Sequence, residues 1–142
     1  MIVTPRLALD KEVRSCLEAA NARGIPLSLE LKTLLLRADG KLMAVHLRGG
    51  DRLNNRLVKK ACNIRNLAFE TLEQIRAYGL EKGIINPWTV PKQAMHVVDT
   101  AVMKQSVMTT NNGTLTGSML VNIQDLLTLN HVRIEKIRES DA

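Results

Sequence analysis

The feature that most limits what this chain can fold into is a pair of apolar runs, Leu31–Ala38 (LKTLLLRA) and Lys41–Leu47 (KLMAVHL), separated only by Asp39-Gly40. Asp-Gly supplies the positive φ angles of a two-residue hairpin turn, whose twist matches that of the strands it joins. The spacing therefore predicts a tight β-hairpin. Both runs are apolar at successive positions and not only at alternate ones, so each strand has two faces to bury. They read as central strands, covered by helices on one side and by another layer on the other.

The flanking segments supply that cover. Asp10 is placed to cap a helix whose Val13, Cys16, Leu17 and Ala20 recur at helical spacing, and Gly24-Ile25-Pro26 stops it. Asn54 is placed to cap a second helix with Leu57, Ala61 and Ile64 on its apolar side. A short strand around Leu67–Phe69 leads to Thr71-Leu-Glu-Gln74, a capping box opening a helix through Ile75 to Tyr78, and a loop from Gly79 to Pro91 follows. Three further strands are expected at Met95–Val98, Ser106–Thr110 and Ser118–Ile123, the first two joined through Asp99–Gln105 and the last two by an Asn112-Gly113 turn. Gln124–Leu129 reads as a short helix and His131–Ile137 as a final strand. Hairpins mixed with helices, without strict strand–helix alternation, point to an α+β domain around a mixed, mostly antiparallel β-sheet flanked by helices. At 142 residues, with no internal repeat or linker, the chain is expected to form a single domain over 1–142.

Charge is distributed unevenly. Arg37, Lys41, Arg48, Arg52, Arg56, Lys59, Lys60 and Arg65 face only Asp39 and Asp51 within their stretch, which accounts for the whole formal charge of +6. A localised patch of this kind suits a polyanionic partner, and it equally suits a solvated face on a basic protein. With 45% apolar and 24% charged residues the composition is that of a globular chain. No apolar run approaches the roughly 18 residues of a membrane span, and Met1-Ile-Val-Thr-Pro5 is too short for a signal core, so a cytoplasmic location without membrane contact is expected. Cys16 and Cys62 have no partner spacing and read as reduced thiols. Phe69, Tyr78 and Trp88 are the only aromatic residues, too few for a stacking platform that binds successive bases.

Motifs for nucleophilic, metal or nucleotide-phosphate chemistry are absent, and His46, His96 and His131 are dispersed without metal spacing, so neither a metal nor a cofactor is expected. His46 alternates onto the face of Leu42 and Ala44, as a satisfied core histidine or as a base. Lys32 shares a face with Leu34 and Leu36, so its ammonium either snorkels out at the strand end or meets an anion in a cleft. Gly83-Ile-Ile-Asn-Pro87 is a loop with glycine where a backbone can approach a ligand and proline at its exit.

With these residues in view, the chain resembles the editing (INS) domain of prolyl-tRNA synthetase and its YbaK-type aminoacyl-tRNA deacylase relatives. The similar segments run in order: Thr4-Pro5, Gly24-Ile-Pro26, Lys32-Thr33-Leu34-Leu35-Leu36, Leu47-Arg-Gly-Gly-Asp-Arg-Leu-Asn54, Phe69-Glu-Thr-Leu-Glu-Gln-Ile-Arg76, the GxxxP loop Gly83 to Pro87, Val97-Val98-Asp99, and the Asn-Gly turn before Gly117. Each is common alone; the series in this order is specific. Compared with many relatives, no helix and strand are expected ahead of Asp10.

The resemblance implies hydrolysis of the ester joining a wrong amino acid to the 3′ adenosine of tRNA. It assigns the central roles to Lys32, Gly83 and Pro87: Lys32 would hold a phosphate of the acceptor end, and the loop would present backbone N–H groups to the aminoacyl carbonyl. The substrate's own ribose hydroxyl would help activate the water, in keeping with the lack of a protein nucleophile. Ile84, Ile85, Asn86, His46, Asp99, Thr110, Asn112 and Gly113 are the expected substrate-binding residues, although Asp99 reads more readily as a structural carboxylate at a strand end, and the Thr109 to Gly113 segment equally as turn geometry. Trp88 either narrows the pocket or caps the loop. Arg48, Arg52, Arg56, Lys59 and Lys60 would meet the tRNA. The expected function is a free-standing trans-editing deacylase acting on Ala-tRNA(Pro) or Cys-tRNA(Pro), with an aminoacyl-tRNA synthetase as a second candidate partner. The alternative is an inactive binding module for a tRNA acceptor end or a synthetase.

Overall fold

The protein's structure, a computed structural model, describes residues 7–8, 20–22 and 24–139. Its elements are β1 (Leu7–Ala8), β2 (Leu31–Ala38), β3 (Lys41–Arg48), α1 (Asn55–Cys62), β4 (Leu67–Phe69), α2 (Leu72–Ala77), β5 (Met95–Asp99), α3 (Thr100–Met103), β6 (Val107–Asn111), β7 (Gly117–Asn122) and β8 (Val132–Glu135), with 3-10 turns at Leu27–Leu29 and Ile123–Thr128. The helix expected from Asp10 lies outside the described residues except at 20–22, which are helical, with Ala20 buried. Cys16 also falls outside them.

The hairpin forms as its sequence requires. Ala38 pairs with Lys41, and Asp39 and Gly40 adopt φ of 48° and 80°. The Asp39 carboxylate also accepts the backbone N–H groups of Arg65 and Asn66, tying the turn to the chain leaving α1. Asn54 caps α1 through its side-chain oxygen on Leu57 N, and Thr71 and Gln74 complete the capping box of α2.

The strands form two sheets, where a single one was expected. Five strands run in the order β4-β2-β3-β5-β8, and three in the order β1-β7-β6. Pairing is antiparallel except for β3 with β5 and β5 with β8. A parallel bridge between Glu30 and Thr109 joins the second sheet to the start of β2. Two other expectations are corrected. A strand does precede Asp10, since Leu7–Ala8 pairs with β7. The final strand stops at Glu135. The Asp99–Gln105 connection contains α3, with Asp99 capping Ala101 N, and residues 112–116, with Asn112-Gly113 at their start, join β6 to β7.

The large sheet has two buried faces. On the α1 face, Leu36, Ala38, Met43, Val45, Leu47 and Val97 pack with Val58 of α1 and with Ile137. The opposite face carries two separate clusters. Leu35, Leu42, Ala44 and Ala94 pack under Leu80, Val90 and Ile85, while Leu31 and Val98 pack with Met108, Met119 and Val121 of the smaller sheet, with Trp88 alongside. Between them runs a polar row of Thr33, His46 and His96, all buried. We call this side the loop face.

Candidate active site

The Gly83–Pro87 loop is held by its own side chains. Gly83 has φ of 98°, a conformation a side chain would strain. Asn86 is 2% exposed, and its Oδ1 accepts from Trp88 N (2.8 Å) and Thr89 N (2.9 Å). Its Nδ2 donates to Asn111 O at 3.1 Å, while Asn111 Nδ2 donates to Ile85 O at 2.9 Å. Within the loop, Ile84 N donates to Glu81 O and Asn86 N to Thr89 Oγ1. Pro87 has no N–H, which leaves the Gly83 and Ile85 N–H groups without an acceptor among the described residues. Trp88 packs against the cluster around Leu31 and Val98 and so caps the loop onto the fold.

The neighbouring strands converge on this loop. Thr110 Oγ1 donates to Leu31 O at 3.2 Å, linking β6 to the start of β2 one residue from the Asn111–Asn86 contact. Gly113 approaches the loop from the β6–β7 connection, where a Cβ built on it would stand 3.6 Å from Thr89 Cγ2. Asn112 Oδ1 is taken by Thr114 N and Thr114 Oγ1, which is turn geometry.

Lys32 lies elsewhere. Its cross-strand partner Leu47 packs against Val58, which places Lys32 on the α1 face, whereas Ile85 and Trp88 anchor the Gly83–Pro87 loop on the loop face. The Lys32 ammonium is half-buried and donates to the carbonyls of Gly49 and Asp51. Across the same turn Arg48 and Asp51 form a two-point ion pair (2.7 and 3.1 Å). A C-terminal strap closes the same segment, with Glu139 N donating to Arg52 O and Asn54 N to Ile137 O. Lys32 thus sits under a braced turn that leads directly into α1.

Asp99 and His46 are both 0% exposed. Asp99 accepts from Ala101 N, Ile137 N and Arg138 N and pairs with Arg138 Nη1 at 2.9 Å, so it fastens α3 and the strap. His46 Nδ1 lies 2.9 Å from Thr33 Oγ1, and His46 Nε2 lies 2.9 Å from His96 Nδ1. Burial, with a smaller contribution from His96, pushes His46 well below the usual imidazole range, and burial alone takes His96 down to about 4. Both rings are therefore neutral at neutral pH. Histidines dispersed in sequence are thus paired in space, and nothing in their spacing signals it, since 50 residues separate them.

The basic cluster is also redistributed. Arg37 is spent on Glu70 (3.0 and 3.1 Å) and Tyr78 OH. The β3 strand carries Arg48 to the opposite end of the hairpin from Lys41, and α1 runs back so that Arg65 returns to the Asp39 turn. Arg52, Arg56, Lys59 and Lys60 lie along this return path and have no ion-pair partner among the described residues. The expected patch is therefore a stripe following α1. Among the described residues no three His, Cys, Asp or Glu side chains come close enough to hold a metal ion, and no helix is long and apolar enough to cross a membrane.

A two-sheet α+β fold with a braced, glycine-initiated loop over one face and a cationic helix over the other defines the class. The chain belongs to the aminoacyl-tRNA editing domain family, which it matches over residues 10–129. Among solved structures it is similar to the hypothetical protein APE2540 at 20% identity and a TM-score of 0.87, over 98% of this chain and 93% of that one. It is similar to a proposed trans-editing enzyme for prolyl tRNA synthetase at 19% identity and a TM-score of 0.84, over 97% and 87%. A proposed signal transduction protein from Marinobacter aquaeolei VT8 shares the fold at 17% identity and a TM-score of 0.68, over 82% of this chain and 26% of that larger one. No curated protein matches the chain.

Proposed function

We propose that this chain is an editing deacylase that acts in trans on mischarged tRNA, with Ala-tRNA(Pro) and Cys-tRNA(Pro) as its substrate type. The observation that carries this reading is the pair of Gly83 and Ile85 N–H groups, left open in a loop whose other donors are all satisfied internally. Two fixed backbone donors suit the oxyanion that forms when water attacks an ester, and the loss of one such donor typically costs about a hundredfold or more in rate. Pro87 and Asn86 keep the loop in that shape. Ile84, Thr110 and Gly113 form the surroundings of the aminoacyl group. Lys32 and the unpaired cations Arg52, Arg56, Lys59 and Lys60 meet phosphates of the acceptor end, with Arg48 shaping the turn between them.

A deacylation assay over a panel of mischarged tRNAs tests the reading, with release of alanine or cysteine from tRNA(Pro) as the expected result. One observation favours a second reading. The Lys32 ammonium is already engaged by two backbone carbonyls, which suits a binding module for the tRNA acceptor end or for a synthetase. Binding of tRNA without turnover of any mischarged species would establish it.

A further inference from the structure

The two edges of the five-stranded sheet differ in chemistry. β4 is three residues long and carries no charge, Leu67-Ala68-Phe69. β8 runs Val132-Arg-Ile-Glu135 and pairs with β5 on one side, and no strand or bridge among the described residues meets its other side. A strand in that position presents backbone N–H and C=O groups to any second strand able to lie beside it.

The side chains of β8 divide by face. Arg133 Nη2 donates to Ala61 O near the end of α1 (2.9 Å) and to Glu135 Oε2 (3.1 Å), so both charges stand on the α1 face. Val132 packs against the cluster of Leu31 and Val98, and alternation puts Ile134 on that same loop face, where it is 43% exposed. The Ile123–Thr128 turn, which contacts β8, leaves Leu127 exposed as well.

This pattern is complementary to itself. When a second copy of β8 lies antiparallel beside the first, with a two-fold axis at Ile134, Arg133 stands opposite the partner's Glu135 and Glu135 opposite the partner's Arg133. All four charges share the α1 face, and Ile134 meets the partner's Ile134 on the loop face. Neighbouring registers lose the match. A shift of one residue sets Arg133 against the partner's Lys136, or leaves both charges opposite apolar residues. A shift of two sets Arg133 against the partner's Arg133, or Glu135 against the partner's Glu135. Charges on an edge ordinarily keep other strands away by going unanswered. On β8 a second copy of the chain answers both.

We propose that β8 is a self-association surface through which two copies of this chain join their large sheets into one ten-stranded sheet about a two-fold axis at Ile134. The contact is isologous and closes on itself, so it ends at the dimer. Because β8 is short, and a standard interface takes about 800 Å² from each partner, the dimer is weak and forms in the micromolar range. The proposal is independent of the deacylase reading.

Sedimentation equilibrium from about 1 to 500 μM tests it, with thermal unfolding as the check that each variant folds. The wild type is expected to show a concentration-dependent monomer–dimer equilibrium. Arg133→Glu and Glu135→Arg each set like charges opposite one another and should raise the dissociation constant about tenfold or more. An equimolar mixture of those two variants should associate again, since every Glu then faces an Arg. Ile134→Lys places two like charges at the axis and should abolish the dimer. Should Arg133→Glu, which loses the Ala61 contact, fail to fold, Glu135→Arg and Ile134→Lys still decide. A wild type that stays monomeric across the range overturns the proposal, as does a dimer that Ile134→Lys leaves intact. Folded charge-reversal variants that do not associate on mixing overturn it too.

Discussion

Arg138 reaches back to Asp99, its Nη1 2.9 Å from an Oδ2 that lies wholly inside the fold. That contact closes the strap whose backbone pairs with Arg52 and Asn54, and so braces the turn that holds Lys32. Removing Arg138 leaves a buried carboxylate with backbone donors only. Arg138→Ala is expected to cost about 3 kcal/mol in urea unfolding. A change within error would mean that the backbone N–H groups alone satisfy Asp99.

Acid should act through the histidine pair. In the folded chain burial keeps both imidazoles uncharged, His96 down to about 4, whereas in the unfolded chain each binds a proton near pH 6.5. The stability tied to their neutrality is complete above about 6.5 and is lost as pH falls from there through about 4, at about 1.4 kcal/mol per pH unit for each ring. Urea midpoints measured down this range should fall steeply. His96→Phe should flatten the slope, and an equal slope in that variant would locate the acid sensitivity elsewhere.

Asn86 carries the loop's geometry on one side chain. Asn86→Ala orphans the N–H groups of Trp88 and Thr89 and the Asn111 carbonyl contact, at an expected cost of about 2 kcal/mol. Deacylation should fall further than stability does, because the open donors at Gly83 and Ile85 lose their fixed positions. A rate that merely tracks the folded fraction would separate the loop from the chemistry.

The stripe along α1 makes a salt prediction. Exchanging Arg52, Arg56 and Lys60 for Gln should weaken tRNA binding and lower the slope of log affinity against log salt by about 2. Arg48→Gln should change the slope less, since Asp51 already holds that guanidinium. An unaltered slope in the triple variant would remove α1 from the RNA surface.

What the sequence makes legible here is local. Asp39-Gly40, the Asn54 cap and the Thr71–Gln74 box each involve residues within a few positions of one another, and all three form as their chemistry dictates. What it hides is long-range. The bridge from Glu30 to Thr109 that starts a second sheet and the parallel pairing of β3 with β5 depend on partners that no local pattern specifies. The same holds for the site. Lys32 and the GxxxP loop are visible as motifs, but strand alternation, once the register is known, puts them on opposite faces of the sheet. A run of cations contiguous in sequence is likewise drawn out along a strand and a returning helix.

The polar row that crosses the loop face has a consequence for how the interior tolerates change. It separates the apolar packing on that side into two compartments, one under Leu80 and Val90 and one under the smaller sheet. A lesion in one compartment, such as Leu42→Ala, shares no packing partner with a lesion in the other, such as Met119→Ala. Their free-energy costs should sum to within about 0.5 kcal/mol. The domain is thus able to accumulate change in the compartment beside the smaller sheet without loosening the one that seats Ile85, so the two parts of its interior are free to diverge at different rates.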